Sequence, residues 1–580
     1  MSSNVSKQKR KDLTDKIKAI HKYIASANPD ENTRNFLVWL SEIEKEINTK
    51  KFGLVFEEHR EAIDDTLETH TPVLSENKKL FIDNGNQVNF LIEGDNLAAL
   101  KLLLKTHKGK IDVIYIDPPY NTEKKDFIYD DKLIDENDGY RHSKWISFMS
   151  KRLELAKKLL ANDGVIFISI DDNELANLKI LCDTIFGNLN FLSNFAIQVR
   201  YAEKSLNEEK PFKPLLEYLL IYAKDINHYE VNREKEEYTT DKFIYEIVEL
   251  TKGKKTTQNG YSMTLFKKDE WKILKHEEGS KNYLKETWIT GSIYTTMSYG
   301  KVFQNAIEPR IKTDGLGCLY KIHGRGDDGL GYRYYTGPQK VTATRGKMYS
   351  GVPLERIEEM NSEKGSYRYP SIPNFQDFSP DYGNIRHEGG IAFNSGKKPV
   401  KLLKQLINYH KGKNITILDF FAGSGSTGHA VISLNEDGGK RKFILVTNNQ
   451  NKICSSITYP RLTNVLNEFK GKASLKYYKI DYIPISDKIY YEYADELLEH
   501  IRELVELENA INFLGNDKIA IVLTDEELDD FVKNIKKNKN CRKLYRAHNV
   551  LVSGEQKEKL KSAKVKINVI PDYYYGDMEI

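Results

Sequence analysis

Residues 111–122 read IDVIYIDPPYNT, and this stretch decides the fold of the chain. Its first six residues are mostly apolar and β-branched, which predicts a strand buried on both faces, as in a parallel sheet. Pro118 and Pro119 end the strand, because proline has no amide hydrogen and a fixed φ. The Asp117 carboxylate and the Tyr120 ring should therefore project from the carboxyl end of the strand, where open α/β sheets form their sites.

The neighbouring segments repeat a pattern of apolar strand and amphipathic helix. VNFLIEGDN and NLAALKLLLKTH precede the opening stretch, while KWISFMSKRLELAKKLL, GVIFISIDDNE, ELANLKILCDTIFG and LEYLLIYAKD follow it. Such an alternation predicts an α/β fold with a mostly parallel sheet covered on both faces. The pattern stops near residue 225 and resumes at PVKLLKQLINYH, NITILDFFAGSGSTGHAVISL and RKFILVTNN, so a second domain is inserted in the first.

These changes of pattern predict five segments. Helical periodicity in IKAIHKYIASA, FLVWLSEIEKEI and HREAIDDTLETH indicates an N-terminal arm, and YYEYADELLEHIRELVELENAI, KIAIVLT and KVKINVI indicate a small C-terminal α/β unit. The segments are the arm (1–85), the first part of the α/β domain (86–224), the insertion (225–385), the second part (386–480) and the C-terminal unit (481–580).

Composition limits the setting of the protein. The 580 residues exceed what one hydrophobic core supports. With 88 basic and 84 acidic residues the net charge is +4, so attraction to a polyanion requires local clustering. Four scattered cysteines without a CxxC motif disfavour a zinc site or a disulfide framework and favour a reducing compartment. The polar N-terminal sequence and the lack of an apolar run near about 18 residues predict a cytoplasmic protein without membrane contact.

A glycine-rich loop, DFFAGSGSTG (419–428), lies between the apolar strand ITIL and a helix. Gly423, Gly425 and Gly428 form a GxGxxG pattern, in which small residues let a nucleotide cofactor approach the backbone. A dinucleotide dehydrogenase is one interpretation, but the next strand presents Asn448 where an acid would hold a ribose. A P-loop is excluded because GK[ST] is absent. A tight turn without a ligand remains an alternative.

The DPPY turn combines two acceptors with an aromatic face. The Asp117 carboxylate and the Pro118 carbonyl suit an amino group on a flat heterocycle, against which Tyr120 would stack. The alternative is a strand that simply ends in a proline turn, with Asp117 as a cap and Tyr120 as packing.

Together, DPPY and the FxGxG pattern of Phe421, Gly423 and Gly425 resemble the amino-group DNA methyltransferases, which use S-adenosyl-L-methionine. DPPY precedes the glycine loop, with the insertion between them, which is the order of that family's β group. Other matching segments are GDNLAAL (94–100), WISFMSKRLELAKKLL (145–160), GVIFISIDDNE (164–174), EYLLIYAK (217–224) and KKPVKLL (397–403). The arm with GLVFEEHRE, the VTNNQNKICSSITYPRL stretch, the large insertion and the C-terminal unit resemble the modification (Mod) subunit of Type III restriction-modification systems.

The resemblance implies a Rossmann-like S-adenosylmethionine-dependent methyltransferase sheet with an inserted target-recognition domain, and adenine-N6 methylation by DPPY. Asp117 and the Pro118 carbonyl would accept hydrogen bonds from N6 and localise its lone pair, and Tyr120 would stack on the flipped-out base. Neither a metal nor a covalent nucleophile is needed. Cytosine-N4 enzymes, which usually carry Ser at the position of Asp117, are one alternative. A noncatalytic DNA-recognition subunit is another.

The resemblance also implies a cofactor site. Asp419 is expected near the cofactor ammonium, Asp95 near its adenine, and Lys397 and Lys398 over its carboxylate. For Asp95, a helix N-cap is an equal alternative. The cofactor-binding candidates are Asp95, Asn96, Lys398, Pro399, Asp419, Phe421, Ala422, Gly423, Ser424, Gly425 and Asn448.

The insertion is expected to bind DNA through residues 323–351, which interleave cations with tyrosines and glycines. Basic side chains would hold phosphates, and some of them would contact base edges. A solvated charged face is the alternative. The candidates are Arg325, Tyr332, Arg333, Lys340, Arg345 and Lys347. The expected partners are double-stranded DNA, a second copy of the chain in a homodimer, and a restriction (Res) nuclease/helicase subunit.

Overall fold

A computed structural model of the chain describes residues 5–25, 36–41, 43–44, 56–85, 87–122, 128–129, 132–133, 140–203, 212–289, 298–392, 397–469, 473–485, 500–513 and 516–570. The chain divides into two units, Met1–Asn232 with Pro373–Ile580, and Arg233–Ile372. Parts of the predicted arm, the start of GLVFEEHRE and the first half of the predicted C-terminal helix lie outside the described residues.

The strands and helices are as follows. The described strands are β1 (His70–Glu76), β2 (Val88–Glu93), β3 (Ile111–Ile116), β4 (Ile128–Tyr129), β5 (Lys132–Leu133), β6 (Leu160–Ile170), β7 (Phe191–Gln198), β8 (Leu216–Ala223), β9 (Glu236–Glu237), β10 (Phe243–Glu249), β11 (Lys254–Gln258), β12 (Tyr261–Phe266), β13 (Trp271–Lys275), β14 (Leu284–Trp288), β15 (Leu319–His323), β16 (Tyr332–Thr336), β17 (Lys347–Ser350), β18 (Tyr367–Arg368), β19 (Phe375–Asp377), β20 (Thr416–Asp419), β21 (Lys442–Thr447), β22 (Ser474–Pro484), β23 (Ile519–Val522), β24 (Lys543–Arg546) and β25 (Lys566–Val569). The main α-helices are α1 (Val5–Ala25), α2 (Ala62–Thr69), α3 (Asn96–His107), α4 (Arg141–Leu159), α5 (Leu175–Cys182), α6 (Tyr299–Val302), α7 (Ile311–Asp314), α8 (Leu354–Asn361), α9 (Ser379–Gly383), α10 (Val400–Asn408), α11 (Ser426–Leu434), α12 (Tyr459–Glu468), α13 (Ile501–Asn509), α14 (Asp525–Lys533) and α15 (Gly554–Ser562). Among the described residues, no helix has both the length and the apolar character needed to cross a membrane.

Ten described strands form the central sheet of the first unit, in the order β1-β22-β2-β21-β20-β3-β6-β8-β7-β19. The strands from β22 to β6 are parallel, and β8 runs antiparallel between β6 and β7. The runs of buried apolar residues in β2, β3 and β6 follow from this topology, because both faces of a parallel sheet are covered. The chain continues from β20 to β21 on one side and from β3 to β6 on the other, so β20 and β3 flank the point where the winding of the sheet changes direction. Such a point places a crevice at the carboxyl ends of the two strands.

Two strands of this sheet come from segments that the sequence pattern assigned elsewhere. β1 lies in the predicted arm and pairs antiparallel with β22. β19 lies in the predicted insertion and pairs parallel with β7. Both are edge strands, and neither continues the alternation of strand and helix on which the predicted boundaries rest.

The second unit contains an antiparallel sheet in the order β11-β12-β15-β16-β17-β14-β10-β13. Tyr320, Tyr335 and Met348 from its central strands pack with the short helix α6 and the turn after it. Tyr334 and Tyr349 belong to a second buried cluster. Several tyrosines of the 323–351 segment therefore form the core of this unit.

A buried ion pair joins helix α13 to the central sheet. Lys476 on β22 donates to Glu506 on α13, and its Nζ lies 3.2 Å from Glu76 Oε1. The Tyr478 hydroxyl donates to Glu506 Oε2 at 2.9 Å, and the Phe513 amide donates to Oε1 at 2.8 Å. These bonds compensate the cost of removing both charges from water.

We expect Glu506→Ala to lower the free energy of unfolding of the first unit by about 3–5 kcal/mol, because it leaves Lys476 buried beside one remaining carboxylate. Glu508 on the same helix pairs with the half-exposed Lys110 at 2.7 Å. Glu508→Ala is the matched control and should cost less than about 1 kcal/mol. Urea unfolding followed by circular dichroism tests both variants. Equal losses would mean that the buried pair adds nothing beyond a surface pair.

Candidate active site

The DPPY turn leaves the sheet at the carboxyl end of β3. The Pro119 carbonyl accepts a hydrogen bond from Trp145 Nε1 at 2.7 Å, which fixes the turn against α4. Pro118 is buried, and within the described part of the chain no N–H or O–H group donates to its carbonyl. Asn121 follows in a left-handed conformation with φ of 56°. One carbonyl of the turn is thus anchored, and the preceding one is available to a ligand.

Four side chains surround the end of the turn. The Tyr120 hydroxyl donates to Asp117 Oδ1 at 2.8 Å and lies 3.0 Å from Glu217 Oε2. Lys398 Nζ lies 3.1 Å from Asp117 Oδ1, 2.6 Å from Glu217 Oε2 and 2.6 Å from the Tyr120 hydroxyl. Burial raises the pKa of Asp117, Lys398 opposes that shift, and Glu217 adds to it. The cluster holds two carboxylates and one ammonium, so it carries a net negative charge when both acids are ionised.

Lys398 lies against the DPPY turn. Its ammonium contacts the side chains of Asp117, Tyr120 and Glu217, and its expected place over a cofactor carboxylate stays a prediction. Lys397 is also engaged, because its Nζ donates to backbone carbonyls between residues 385 and 391. Pro399 occupies the position before the first residue of α10 and fixes where that helix begins.

Backbone conformation and close packing account for two glycines of the loop, Gly425 and Gly428. Gly425 precedes α11 with φ of 76°, a left-handed conformation that glycine adopts without strain. A Cβ at Gly428 would lie 2.6 Å from Leu462 Cδ2, so any larger residue there would require Leu462 on α12 to shift. The Ala422 amide donates to the Val446 carbonyl at 3.0 Å, and the Gly423 carbonyl accepts from Thr458 Oγ1. These bonds fix the loop against β21 and the start of α12.

Asp419 is a buried carboxylate at the end of β20. It accepts hydrogen bonds from Thr427 Oγ1 at 2.5 Å and from the Phe421 amide at 3.0 Å. Burial raises the pKa of Asp419 to about 7, partly offset by these two bonds. Among the described residues, no basic side chain pairs with it. A buried acid of this kind suits a cationic ligand group, which would replace the missing ion-pair partner.

Arg461 lies behind the glycine loop and was not predicted. Its Nη1 donates to Ser426 Oγ at 2.7 Å and to Ser424 Oγ at 3.3 Å, and its Nη2 donates to Glu388 Oε2 at 3.1 Å. Ser424 therefore faces this buried guanidinium. In the sequence, Arg461 belongs to the TYPRL segment, which resembles the Mod subunits but carries no recognisable site motif.

A second buried arginine, Arg152, joins the GDN segment to the arm. It forms hydrogen bonds with both Glu61 carboxylate oxygens, at 2.8 and 3.0 Å, and donates to Asn96 Oδ1 at 2.5 Å. Asn96 Nδ2 donates to the Phe420 carbonyl at 3.0 Å, so this network reaches the glycine loop. Asp95 Oδ1 accepts from the amides of residues 97 and 98 at 2.7 and 3.3 Å, which makes Asp95 the N-cap of α3. A cation on the buried face of helix 145–160 was the signal that sequence reasoning missed.

Asn448 is exposed after β21, and its Oδ1 accepts from the Gln450 amide at 3.3 Å. An acid does lie near this edge, but it comes from the neighbouring strand. Glu93 at the end of β2 accepts from Asn449 Nδ2 at 3.3 Å and lies 3.3 Å from Lys479 Nζ.

Glu174 fixes the far end of the DPPY turn. It is fully buried and accepts from Asn121 Nδ2 at 2.5 Å and from Asn177 Nδ2 at 2.8 Å, and His142 Nδ1 lies 2.6 Å away. Glu174 is the last residue of the GVIFISIDDNE segment and was not predicted as a site residue. Three acids directly after a buried strand were the available signal.

Three described side chains at the opposite end of β3 place possible metal-ligand atoms within 4.8 Å of one another: Asp112, Asp163 and His410. His410 Nδ1 accepts from the Gly412 amide at 3.0 Å, and His410 Nε2 lies 3.9 Å from Asp163 Oδ2.

The second unit corrects one DNA-binding candidate. Arg333 is buried and pairs with Asp328 and with Asp327 Oδ1, the latter at 2.6 Å. Its charge is already neutralised within the unit, so it is not available to a phosphate. Lys347 Nζ lies 2.5 Å from Glu286 Oε1, which also reduces its availability.

The other candidates in this unit are more accessible. Lys340 and Arg345 are exposed, and Arg345 Nη1 donates to the Ile289 carbonyl at 3.3 Å. The Arg325 guanidinium lies 5.1 Å from the ring of Tyr261. The Tyr332 ring lies 4.0 Å from Lys321 Nζ.

The mostly parallel sheet, with its reversed strand β8 and with the DPPY turn and the glycine loop after β3 and β20, has the topology of a Rossmann-like methyltransferase fold. A family model described as DNA methylase, covering N6 and N4 enzymes, matches residues 111–503. The chain belongs to this DNA methylase family.

The chain is also similar to several known proteins. The chain is 31% identical over 414 residues to the probable Type III restriction-modification enzyme HindVI Mod subunit of Haemophilus influenzae, covering 67% of this chain and 52% of the relative. It is 30% identical over 409 residues to the Type II methyltransferase M.KpnI of Klebsiella pneumoniae, covering 67% and 90%. The chain spans only about half to three fifths of the Type III Mod relatives that it matches, with coverage of 52%, 61% and 57%. A solved structure of PvuII DNA methyltransferase (cytosine-N4-specific) aligns with a TM-score of 0.32 at 12% identity, over 69% of this chain and 98% of that one.

Proposed function

We propose that the chain is a site-specific DNA adenine-N6 methyltransferase that transfers a methyl group from S-adenosyl-L-methionine to a flipped-out adenine. The observation that carries the proposal is the pair of available acceptors, the Asp117 carboxylate and the Pro118 carbonyl, beside the Tyr120 ring and next to the strand of the glycine loop. Membership of the DNA methylase family supports it.

The residues present fit this cofactor. Asp419 offers a buried carboxylate without a described basic partner to the cofactor ammonium. Phe421 and the small residues that follow it give the space that the backbone approach requires. When bound, S-adenosyl-L-methionine supplies an electrophilic methyl group on a sulfonium.

The chain's own groups orient and activate the target amino group. An exocyclic amino group is a weak nucleophile because its lone pair is delocalised into the ring. Asp117 and the Pro118 carbonyl would accept its two hydrogens and favour a tetrahedral nitrogen, as preorganised acceptors that stabilise the transition state. The Tyr120 hydroxyl bond to Asp117 limits how the ring can turn, so we propose that base stacking occurs in the observed ring orientation.

The aspartate in DPPY favours adenine over cytosine-N4, whose enzymes usually have serine there. With labelled S-adenosyl-L-methionine and duplex DNA, we expect label in N6-methyladenine. Label in N4-methylcytosine would overturn the base assignment. If no label is transferred to the DNA, the assignment as an enzyme is overturned in favour of a recognition subunit. Mapping modified adenines in DNA from cells that express this chain gives the target sequence and strand.

The proposal includes domain roles and partners. Unit Arg233–Ile372 is the target-recognition domain, and its DNA is double-stranded. The names of the Mod relatives support a Type III system, in which this chain would work in the cytoplasm with a Res nuclease/helicase subunit. The C-terminal segment from residue 481 is proposed to mediate homodimerisation or docking.

We expect the double variant Lys340→Ala, Arg345→Ala to weaken DNA binding and to reduce the slope of log affinity against log salt by about two, because each lost phosphate contact removes about one counterion. Both residues are exposed on the second unit. Fluorescence anisotropy at several salt concentrations measures the slope. Lys254→Ala, Lys255→Ala is a matched control on exposed positions of β11 of the same unit. An unchanged slope in the first variant, or an equal change in the control, would mean that Lys340 and Arg345 are not specific phosphate contacts.

A further inference from the structure

Glu217 lies at the start of β8, the reversed strand, where it pairs with Ile197 of β7. Its side chain points to the DPPY turn, although Glu217 and Tyr120 are 97 positions apart in sequence. In the sequence, Glu217 is the first residue of the EYLLIYAK segment.

Glu217 contacts both groups that hold the Asp117 carboxylate. Its Oε2 accepts from Lys398 Nζ at 2.6 Å and lies 3.0 Å from the Tyr120 hydroxyl. Lys398 and Tyr120 in turn contact the same oxygen, Oδ1 of Asp117, at 3.1 and 2.8 Å. Among the described residues, both polar contacts of Asp117 are therefore on Oδ1, and Oδ2 is left for a ligand.

Lys398 contacts two carboxylates, those of Asp117 and Glu217, and this arrangement keeps Oδ2 of Asp117 available. An ammonium in a buried site is attracted to the nearest negative charge, and a single carboxylate would draw it to both of its oxygens. Glu217 provides a competing acceptor 2.6 Å from Nζ. The ammonium is thereby kept at the Oδ1 side of Asp117.

We propose that Glu217 is a positioning residue for methyl transfer: by holding Lys398 and Tyr120 on Oδ1 of Asp117, it leaves Oδ2 to accept a hydrogen bond from the target amino group. The inference rests on the proposed adenine-N6 methylation and adds to it a residue from β8. Asp117 remains the group that touches the substrate, and Glu217 acts through its two neighbours.

The charges around the cluster set the expected pH dependence. Lys398 lowers the pKa of Asp117 and Glu217 raises it, while Tyr115 and Tyr382 face the same cluster as neutral phenols. Asp419 on the neighbouring strand feels the Asp117 charge as well. Removing the Glu217 charge should therefore lower the pKa of Asp117. The acidic limb of the rate, where Asp117 becomes protonated, should move to lower pH.

The test compares Glu217→Ala, Glu217→Gln and Glu230→Gln, the last being a control at an exposed carboxylate beyond the same strand. We expect Glu217→Ala to reduce the single-turnover rate about 10- to 100-fold, with cofactor Kd and DNA Kd within about threefold. Glu217→Gln keeps an acceptor oxygen, so it should recover part of the rate, with its acidic limb at lower pH. With 2-aminopurine at the mapped target position, the fluorescence increase on binding should match wild type in all three variants.

Each outcome decides the question. An unchanged rate in Glu217→Ala, or an unshifted acidic limb in Glu217→Gln, overturns the positioning role. A parallel loss of rate, 2-aminopurine signal and thermal stability makes Glu217 structural and also overturns it. A wild-type enzyme that transfers no methyl group to adenine overturns the proposed function and this inference with it, whereas an active wild type with a normal Glu217→Ala variant overturns the inference alone.

Discussion

Asp117→Ala is expected to lower methyl transfer by about a thousandfold or more, since it removes the charged acceptor that localises the amino lone pair in the transition state. Cofactor affinity should stay within about tenfold, because Asp117 contacts Tyr120 and Lys398 rather than the glycine loop. Lys398 would keep Glu217 as its partner, so the fold should tolerate the change. Single-turnover transfer of labelled methyl and equilibrium cofactor binding measure the two effects separately.

Asp112 offers the matched control for this variant. It lies on the same strand β3, at the opposite end from the DPPY turn, and accepts from the Thr416 amide at 2.7 Å. Asp112→Asn keeps an acceptor oxygen and should transfer methyl at the wild-type rate. If Asp117→Ala loses cofactor binding and transfer equally, Asp117 has a structural role instead.

Asp419→Asn should weaken cofactor binding by about 10- to 100-fold, because it removes the buried charge opposite the ammonium while keeping the shape of the side chain. The folded-state pKa of about 7 lies above the ordinary value of 3.8. The folded protein therefore keeps a proton that the unfolded chain loses, and stability from this group falls as pH rises from about 4 to about 7. The cofactor-free variant should lack this loss and be more stable than wild type at neutral pH.

A cation beside Asp419 favours the ionised carboxylate, so wild-type cofactor affinity should increase as the pH rises toward about 7, with release of a proton on binding below that pH. Titration calorimetry in buffers of different ionisation enthalpy measures that proton. The variant should show neither the pH dependence nor the release. Glu436→Gln, an exposed position after α11, is the control and should behave as wild type. A pH-independent wild type would contradict the assignment of the ammonium to Asp419.

The positions of the DPPY turn and the glycine loop were predictable because the sequence signals for them are local. Prolines end β3 after Ile116, and Gly425 and Gly428 permit a left-handed turn and close helix packing, so each feature is visible within a few residues. That both loops lie at the same edge follows from parallel topology. The roles of their side chains in binding and catalysis stay predictions.

The ion pairs of the site were not predictable, because they join distant segments. Lys398 and Glu217 are separated by 181 positions and Arg152 and Glu61 by 91, and no periodicity connects such pairs. Burial of individual cations was not predictable either. Arg333 and Arg345 look alike in sequence, yet of these two only Arg333 is buried beside two aspartates. The edge strands β1 and β19 were not predicted as part of the central sheet, because they pair with strands remote in the chain.

The Glu61–Arg152 pair decides where the chain can be shortened. A fragment designed to begin with the alternating pattern near residue 86 would lack Glu61 and β1. Arg152 would then be buried with only neutral acceptors and the more distant Asp95, 3.7 Å from its Nη2, and the edge of β22 would be open to pairing with other chains. An expression fragment of the methyltransferase unit should therefore start before Glu61, well upstream of the first recognisable motif.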